Sequence, residues 1–254
     1  MSIPQIFIVI IVGIVAGIFN TLAGGGSLLS LPALIFVGLP SAMANGTNRV
    51  AILMNSVTAV AGFKQHGVAD FKFSLALSVP ATAGAIVGAR LAVGIADALF
   101  QKVLAVIMLL SVALIFWNPT RRFQGGQAVL NSRRRLLAMI AFFFVGIYGG
   151  FVQAAVGLLI IATLVLITGL DLVQTNSHKM FVVGVYTLAA LATFALSGQV
   201  NWGIGLILAL GNGIGGWIGS HWAVTKGEKW IRIALAVAVV AMAARLLGLF
   251  PSWP

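Results

Sequence analysis

Two short polar blocks interrupt an otherwise apolar chain: Asn45-Gly46-Thr47-Asn48-Arg49 and Thr175-Asn176-Ser177-His178-Lys179. Each sets hydroxyl and amide side chains just ahead of a basic residue, and a long, mostly apolar stretch follows. Read as polar caps at the start of a helix, the blocks put a cation where it opposes the helix dipole. That placement becomes favourable when an anion arrives or when the charged head reaches water. Two readings therefore compete. Arg49 and Lys179 approach a shared anion from opposite sides, or each lies along apolar surface and snorkels its charge to the interface. Their matching places in the two halves of the chain favour the anion. Asn45, Thr47, Asn48, Thr175, Ser177 and His178 would then supply the rest of the shell.

A third polar stretch reads Asn20-Thr21-Leu22-Ala23-Gly24-Gly25-Gly26-Ser27. Three consecutive glycines are poor helix, so a break is expected there, with Ser27 as the N-cap of the helix that follows. A helix N-terminus left inside a membrane presents N–H groups and a partial positive charge to an anion. Asn20, Thr21, Gly25, Gly26 and Ser27 are accordingly candidate ligand contacts. The competing role for these glycines is close helix packing. The matching stretch of the second half, Gln153-Ala154-Ala155-Val156-Gly157, has no serine and fewer glycines. It suggests a shared shape with different chemistry, with Gln153 as its one polar contribution.

Other chemistries find no residues to work with. The chain has no cysteine, three histidines and four dispersed carboxylates, and neither G-x-S-x-G nor H-E-x-x-H occurs. A metal shell, a nucleophile and an acid/base pair are thus not expected, no cofactor is called for, and a non-enzymatic protein is the reading. The formal charge of +11 sits mostly in short loops, where Lys and Arg act as topology signals, so nucleic acid is not the expected partner.

The elements that must hold these residues are membrane helices. Hydrophobic residues make up 61% of the chain and charged ones 7%, which no soluble core could accommodate. Runs such as Ile3 to Leu22, Phe73 to Ile95, Leu99 to Trp117, Leu136 to Ala154 and Ile231 to Leu249 are long enough to cross about 30 Å of hydrocarbon. They lack the alternation of barrel strands. Ile3 to Leu22 has no basic flank or A-x-A site and reads as a first span rather than a signal peptide. Trp117, Trp202, Trp222 and Trp230 fall near segment ends, as interfacial belts do. Arg90 and His221 read as anchors there, and Asp97 and Asp171 as helix caps.

A basic stretch, Asn118 to Arg135, with Arg121, Arg122, Arg133, Arg134 and Arg135, divides the chain near its midpoint. Residues 1–117 and 136–254 then read as repeats joined by a linker, 118–135. Gly84, Gly88 and Arg90 match Gly215, Gly219 and His221 at an offset of 131, as Gly67 to Phe71 match Gly198 to Trp202, and the Asn45 and Thr175 blocks match at 130. Each half holds five apolar segments, the second being short: Ser27 to Val37 and Gly157 to Thr168, about 17 Å as helix. With the arginine-rich linker in the cytoplasm, only a count of ten crossings keeps the loops of Lys64 and Lys72 and of Lys226 and Lys229 inside. An odd number per half makes the repeats inverted, with both termini outside. The expected fold is an all-α integral membrane protein of two inverted five-segment repeats, each with a short broken helix, as in many secondary transporters.

The run Gly24-Gly25-Gly26-Ser27-Leu28 followed by Pro32, together with Ala44 to Arg49, the Gly67-Val68 turn and Gly84-x-x-x-Gly88, resembles the TauE/SafE family of sulfite exporters, from about Ile11 to Leu246. The resemblance implies a multi-pass permease of a bacterial inner membrane that moves sulfite, an organosulfonate or a related sulfur oxyanion. Uptake instead of export, or a channel for another small anion, is the alternative. Among titratable groups inside a half only His178 offers itself to a coupling proton. The coupling ion, H+ or Na+, and oligomer formation in the bilayer are left open.

Overall fold

The computed structural model describes residues 3–68, 71–117, 131–225 and 229–246, and the regular structure among these residues is helix. Most of the basic linker, with Arg121 and Arg122, lies outside the described residues. So do Asp70, Lys226 and Glu228, and the side chains of Trp117 and Trp230.

The described elements are α1 (Ile3–Ala23), α2 (Ser27–Phe36), α3 (Ser41–Gln65), α4 (Phe71–Val93), α5 (Asp97–Trp117), α6 (Ser132–Phe151), α7 (Val156–Thr168), α8 (Leu172–Leu196), α9 (Trp202–Thr225) and α10 (Lys229–Leu246). Six of them, α1, α4, α5, α6, α8 and α9, contain stretches long and apolar enough to cross a membrane. α3 has the length, 25 residues. It also carries Asn45, Asn48, Arg49 and Asn55, all buried inside the protein instead of facing lipid. α2 and α7, with 10 and 13 residues, rise only about 15–20 Å, roughly half the hydrocarbon thickness, the short lengths that their sequences predict. Trp202 and Trp222 are exposed near the two ends of α9.

The most extensive helix contacts join one sequence half to the other: α1 packs on α9, α4 on α6, α3 on α9, α4 on α8 and α3 on α8. The halves interlock rather than fold as separate bodies. Their backbones approach closely because the contact positions are small. A Cβ on Gly84 or Gly88 would run into the carbonyl oxygens of Phe143 and Ile147 in α6, and one on Gly146 or Gly150 into the backbone of Ala81 and Ala85 in α4. Gly13 and Gly17 of α1 meet Gly211 and Gly215 of α9 in the same manner. These contacts exclude lipid and gain dispersion energy where burial from lipid offers no hydrophobic drive.

Left-handed residues recur across the halves. Gly38 and Gly169 end α2 and α7, and Gly67 and Gly198 end α3 and α8, with positive φ at each. The last two close the same motif, with Val68 N donating to Phe63 O (3.0 Å) and Gln199 N to Phe194 O (2.9 Å).

Helix starts differ from the sequence reading in three places. Asn45 and Thr175 do not open their helices: α3 begins at Ser41 and α8 at Leu172. The reason is capping by carboxylates, one distant and one directly ahead of its helix. Ser41 N donates to the Asp97 carboxylate, so Asp97 caps α3 rather than its own helix, and Gln174 N donates to Asp171 Oδ1 at 2.8 Å. Arg49 therefore sits two turns inside α3, where the N-terminal dipole no longer opposes it. Ser27 is not an N-cap either. Gly26 holds that position without a side-chain bond, and it must be glycine because a Cβ would strike the Ala16 carbonyl oxygen and Asn20 Cβ of α1.

The packing predicts that Gly88→Ala lowers the thermal stability of detergent-solubilised protein by about 1–3 kcal/mol, the usual penalty of overpacking. Gly94→Ala, in open space, should change it by no more than about 0.5 kcal/mol.

Candidate functional site

A helix that ends inside a membrane leaves its last carbonyls without N–H partners and without water to replace them. α1 ends at Ala23, and α6 ends at Phe151. In both cases side-chain donors from the other half of the chain reach the last carbonyls.

At the end of α1, Lys179 Nζ donates to Asn20 O (2.8 Å) and Thr21 O (2.9 Å). Asn176, one turn earlier on α8, accepts from the same ammonium at 2.7 Å and donates to Leu22 O at 3.3 Å. At the end of α6, Arg49 donates through NH1 to Gly149 O (3.2 Å) and through NH2 to Gly150 O. Asn45, one turn earlier on α3, accepts from Arg49 at 3.3 Å and donates to Phe151 O at 2.7 Å. A cation and an amide thus cap three successive carbonyls at each break, and a positive charge meets the negative end of each dipole. The amide precedes the cation by four residues in the first half and by three in the second. Asn45 is therefore paired in role with Asn176, not with Thr175, and the repeat slips by one residue inside this block.

The breaks abut. Gly24, left-handed at φ 73°, lies against the backbone of Gly157 so closely that neither could carry a Cβ. The matching left-handed position of the second break, 131 residues on, is Ala155 at φ 59°, next but one to Gln153 at φ 66°. The second break keeps the shape of the first at a cost of about 1–3 kcal/mol for each of these non-glycine residues. Two donors secure it: Arg49 NH1 bonds Gln153 Oε1 (3.1 Å), and Tyr148 OH bonds Ala154 O (2.6 Å).

Around the breaks lies a buried polar shell. Asn20 Nδ2 donates to Asn55 Oδ1 (2.7 Å), and Asn55 Nδ2 reaches Gly17 O (3.1 Å) and Asn212 O (3.0 Å), tying α1, α3 and α9 together. Thr21 Oγ1 donates to Gly17 O at 3.0 Å. Ser30 Oγ of α2 donates to Asn48 Oδ1 at 2.6 Å. Asn48 Nδ2, Thr175 Oγ1 and Arg49 Nε are buried without a hydrogen-bond partner, three donor groups turned to no acceptor. Arg49 is fully buried and stacks on Phe194 at 4.7 Å, and its hydrogen-bond acceptors are all neutral oxygens.

The structure gathers Asn20, Thr21, Gly26, Asn45, Arg49, Gln153 and Lys179 at the two breaks, with Gly25 in the first connection and Ser27 opening α2. It does not send the two cations to one point, because each is spent on its own helix end. Thr47 and Ser177 lie apart, bracing turns of the opposite half: Thr47 Oγ1 accepts from Asn201 N (2.9 Å), and Ser177 Oγ donates to Val68 O (2.7 Å). His178 Nδ1 pairs with Ser74 Oγ at 2.7 Å. Sequence reasoning missed Asn55, Ser30 and the capping amide of Asn176. Asn55 carried a signal, since an asparagine inside an apolar run must find partners. It also missed that His66 and His221 meet, with ring centroids 4.7 Å apart.

If capping is the work of these cations, Lys179→Met and Arg49→Met each destabilise the protein by roughly 3–5 kcal/mol, the range for stripping a partner from a buried charged network. Arg49→Lys should lose less, and thermal unfolding in detergent reads the order. Equal stability of Met variants and wild type would mark the residues as anchors.

The family model described as "Sulfite exporter TauE/SafE" matches residues 9–246. A probable membrane transporter protein, ORF9, of Sinorhizobium sp is 27% identical over 92% of this chain and 89% of its own. A probable membrane transporter protein of Haemophilus influenzae is 27% identical over 97% and 96%, and the probable membrane transporter protein YfcA of Escherichia coli K12 is 28% identical over 93% and 87%. No solved structure matches significantly.

Proposed function

The chain belongs to the sulfite exporter TauE/SafE family of multi-pass membrane transporters, and we propose that it carries a small sulfur-containing anion, sulfite or an organosulfonate, bound where the two helix breaks meet. The observation that carries this reading is Arg49. Its charge is wholly buried among neutral acceptors, and its Nε–H is unpartnered. A buried cation whose dipolar partners leave one donor idle suits an anion that comes and goes, since a permanent carboxylate partner would hold it shut. Gln153, Asn48 and Thr175 add neutral donors of the kind that recognise sulfonate and sulfite oxygens. Asn20, Thr21 and Lys179 stand at the first break, which abuts the second where Gly24 meets Gly157.

Inverted halves turn this arrangement into a carrier. The paired packing of α1 on α9 and α6 on α4 lets one bundle rock against the other around a fixed central site. We place the basic linker in the cytoplasm by the positive-inside rule, and the protein in a bacterial inner membrane by its family resemblance. Export or uptake then follows the gradients, and His178 is the titratable group nearest to hand for a coupled proton.

Thermal-shift titration of purified protein with sulfite, thiosulfate, methanesulfonate, sulfate and chloride tests the reading. A bound anion at a hundredfold excess over its Kd adds about 2.7 kcal/mol. The expected result is stabilisation by one or more sulfur anions, weakened by Gln153→Ala and Arg49→Lys. Stabilisation by none, or an undiminished shift in both variants, contradicts it.

A further inference from the structure

A second feature lies away from the breaks. Between α1, α2, α9 and α10 is a cavity of about 560 Å3, lined by Gln5, Val12, Ser30, Ala33, Leu208 and Arg245 among others. Its volume is room for a dozen or more waters at roughly 30 Å3 each. Gln5 is exposed in the first turn of α1 and Arg245 is exposed in the last turn of α10, so the mouth lies where the start of α1 and the end of α10 come together. From Gln5 to Val12 the wall descends about 10 Å along α1. Its far end is Ser30, fully buried, whose Oγ is bonded to Asn48. Behind it waits the unpartnered Nδ2 of Asn48, the neighbour in sequence of Arg49.

Arg245 is held at the rim by stacking on Phe36, 4.2 Å from the ring centroid. No carboxylate among the described residues pairs with it. The cavity therefore has a cation at its mouth, an apolar shaft and an idle amide donor behind its closed end. An apolar acyl chain would have no use for the last of these, and a cation would be repelled by the first.

We propose that this cavity is a water-filled vestibule through which a small oxyanion reaches the central site from the side of the start of α1 and the end of α10. Arg245 concentrates the anion at the mouth, and the Ser30–Asn48 hydrogen bond is the barrier at its floor. The inference rests on the anion-carrier reading for what passes, but not for whether the cavity is aqueous and anion-attracting.

The absence of cysteine from the sequence gives a clean test in the full-length protein reconstituted in liposomes. Single variants Val12→Cys and Ala33→Cys, inside the cavity, are compared with Ile11→Cys, exposed on the adjacent outer face of α1. The probes are the anionic sulfonatoethyl methanethiosulfonate and its neutral hydroxyethyl counterpart. The vestibule predicts reaction of both reagents at Val12→Cys and Ala33→Cys and none of the anionic reagent at Ile11→Cys. Adding Arg245→Gln should slow the anionic reagent about tenfold, the scale of electrostatic focusing, with the neutral reagent unaffected.

Inertness of both cavity positions overturns the vestibule and marks the space as lipid-filled. An unchanged ratio of anionic to neutral rates on removing Arg245 overturns its role at the mouth. Labelling as expected with no anion-induced thermal shift would sink the sulfur-anion reading alone. A thermal shift without labelling would sink the vestibule alone.

Discussion

A backbone carbonyl inside hydrocarbon must have a donor, and this fold breaks two helices where no water can provide one. Asn20, Thr21 and Leu22 end one helix and Gly149, Gly150 and Phe151 the other. Hydrogen bonds to charged donors are worth about 1.5–3 kcal/mol each, so a cation at each break offsets much of the penalty of breaking the helix there. Because each donor comes from the opposite half, neither half can form its break alone. The interlocked packing of α1 on α9 and α4 on α6 follows from that dependence, as does the need for glycine at the crossings that bring Lys179 and Arg49 into reach.

The same constraint shapes the chemistry. Once the cations are committed to helix ends, the buried donors without an acceptor include Arg49 Nε, Asn48 Nδ2 and Thr175 Oγ1. The protein thus separates the charge that supports the fold from the donors that remain available. An anion bound at the breaks would compete with carbonyl dipoles for the same guanidinium. Such binding would couple to the geometry of the breaks, which is a property a carrier needs if its loaded and empty forms are to move differently.

Much of this was legible in residues. The short lengths of α2 and α7, the glycine pairs Gly84/Gly215 and Gly88/Gly219, and the likeness of Arg49 to Lys179 could all be read before any coordinates. What Arg49 and Lys179 bind could not, because backbone carbonyls carry no residue signature and lie more than 100 positions away in the chain. The one-residue slip that pairs Asn45 with Asn176 was hidden for a related reason: a long arginine reaches its carbonyl from one residue further along than a lysine must. The start of α3 was misplaced because Asp97, which caps it, lies 56 residues downstream of the amide it binds, whereas the cap of α8, Asp171, was legible beside its helix. Ala155 was invisible as a left-handed residue because only its partner Gly24 has the composition for one.

Hydrogen–deuterium exchange at the two breaks tests the central claim most directly, by comparing Lys179→Met and Arg49→Met with wild type in the same detergent. If each half's cation holds the other half's helix end, Lys179→Met speeds exchange at residues 21–29 and leaves 150–158 protected, and Arg49→Met does the reverse. Loosening confined to the helix that bears the substitution, or spread evenly over both breaks, would contradict it.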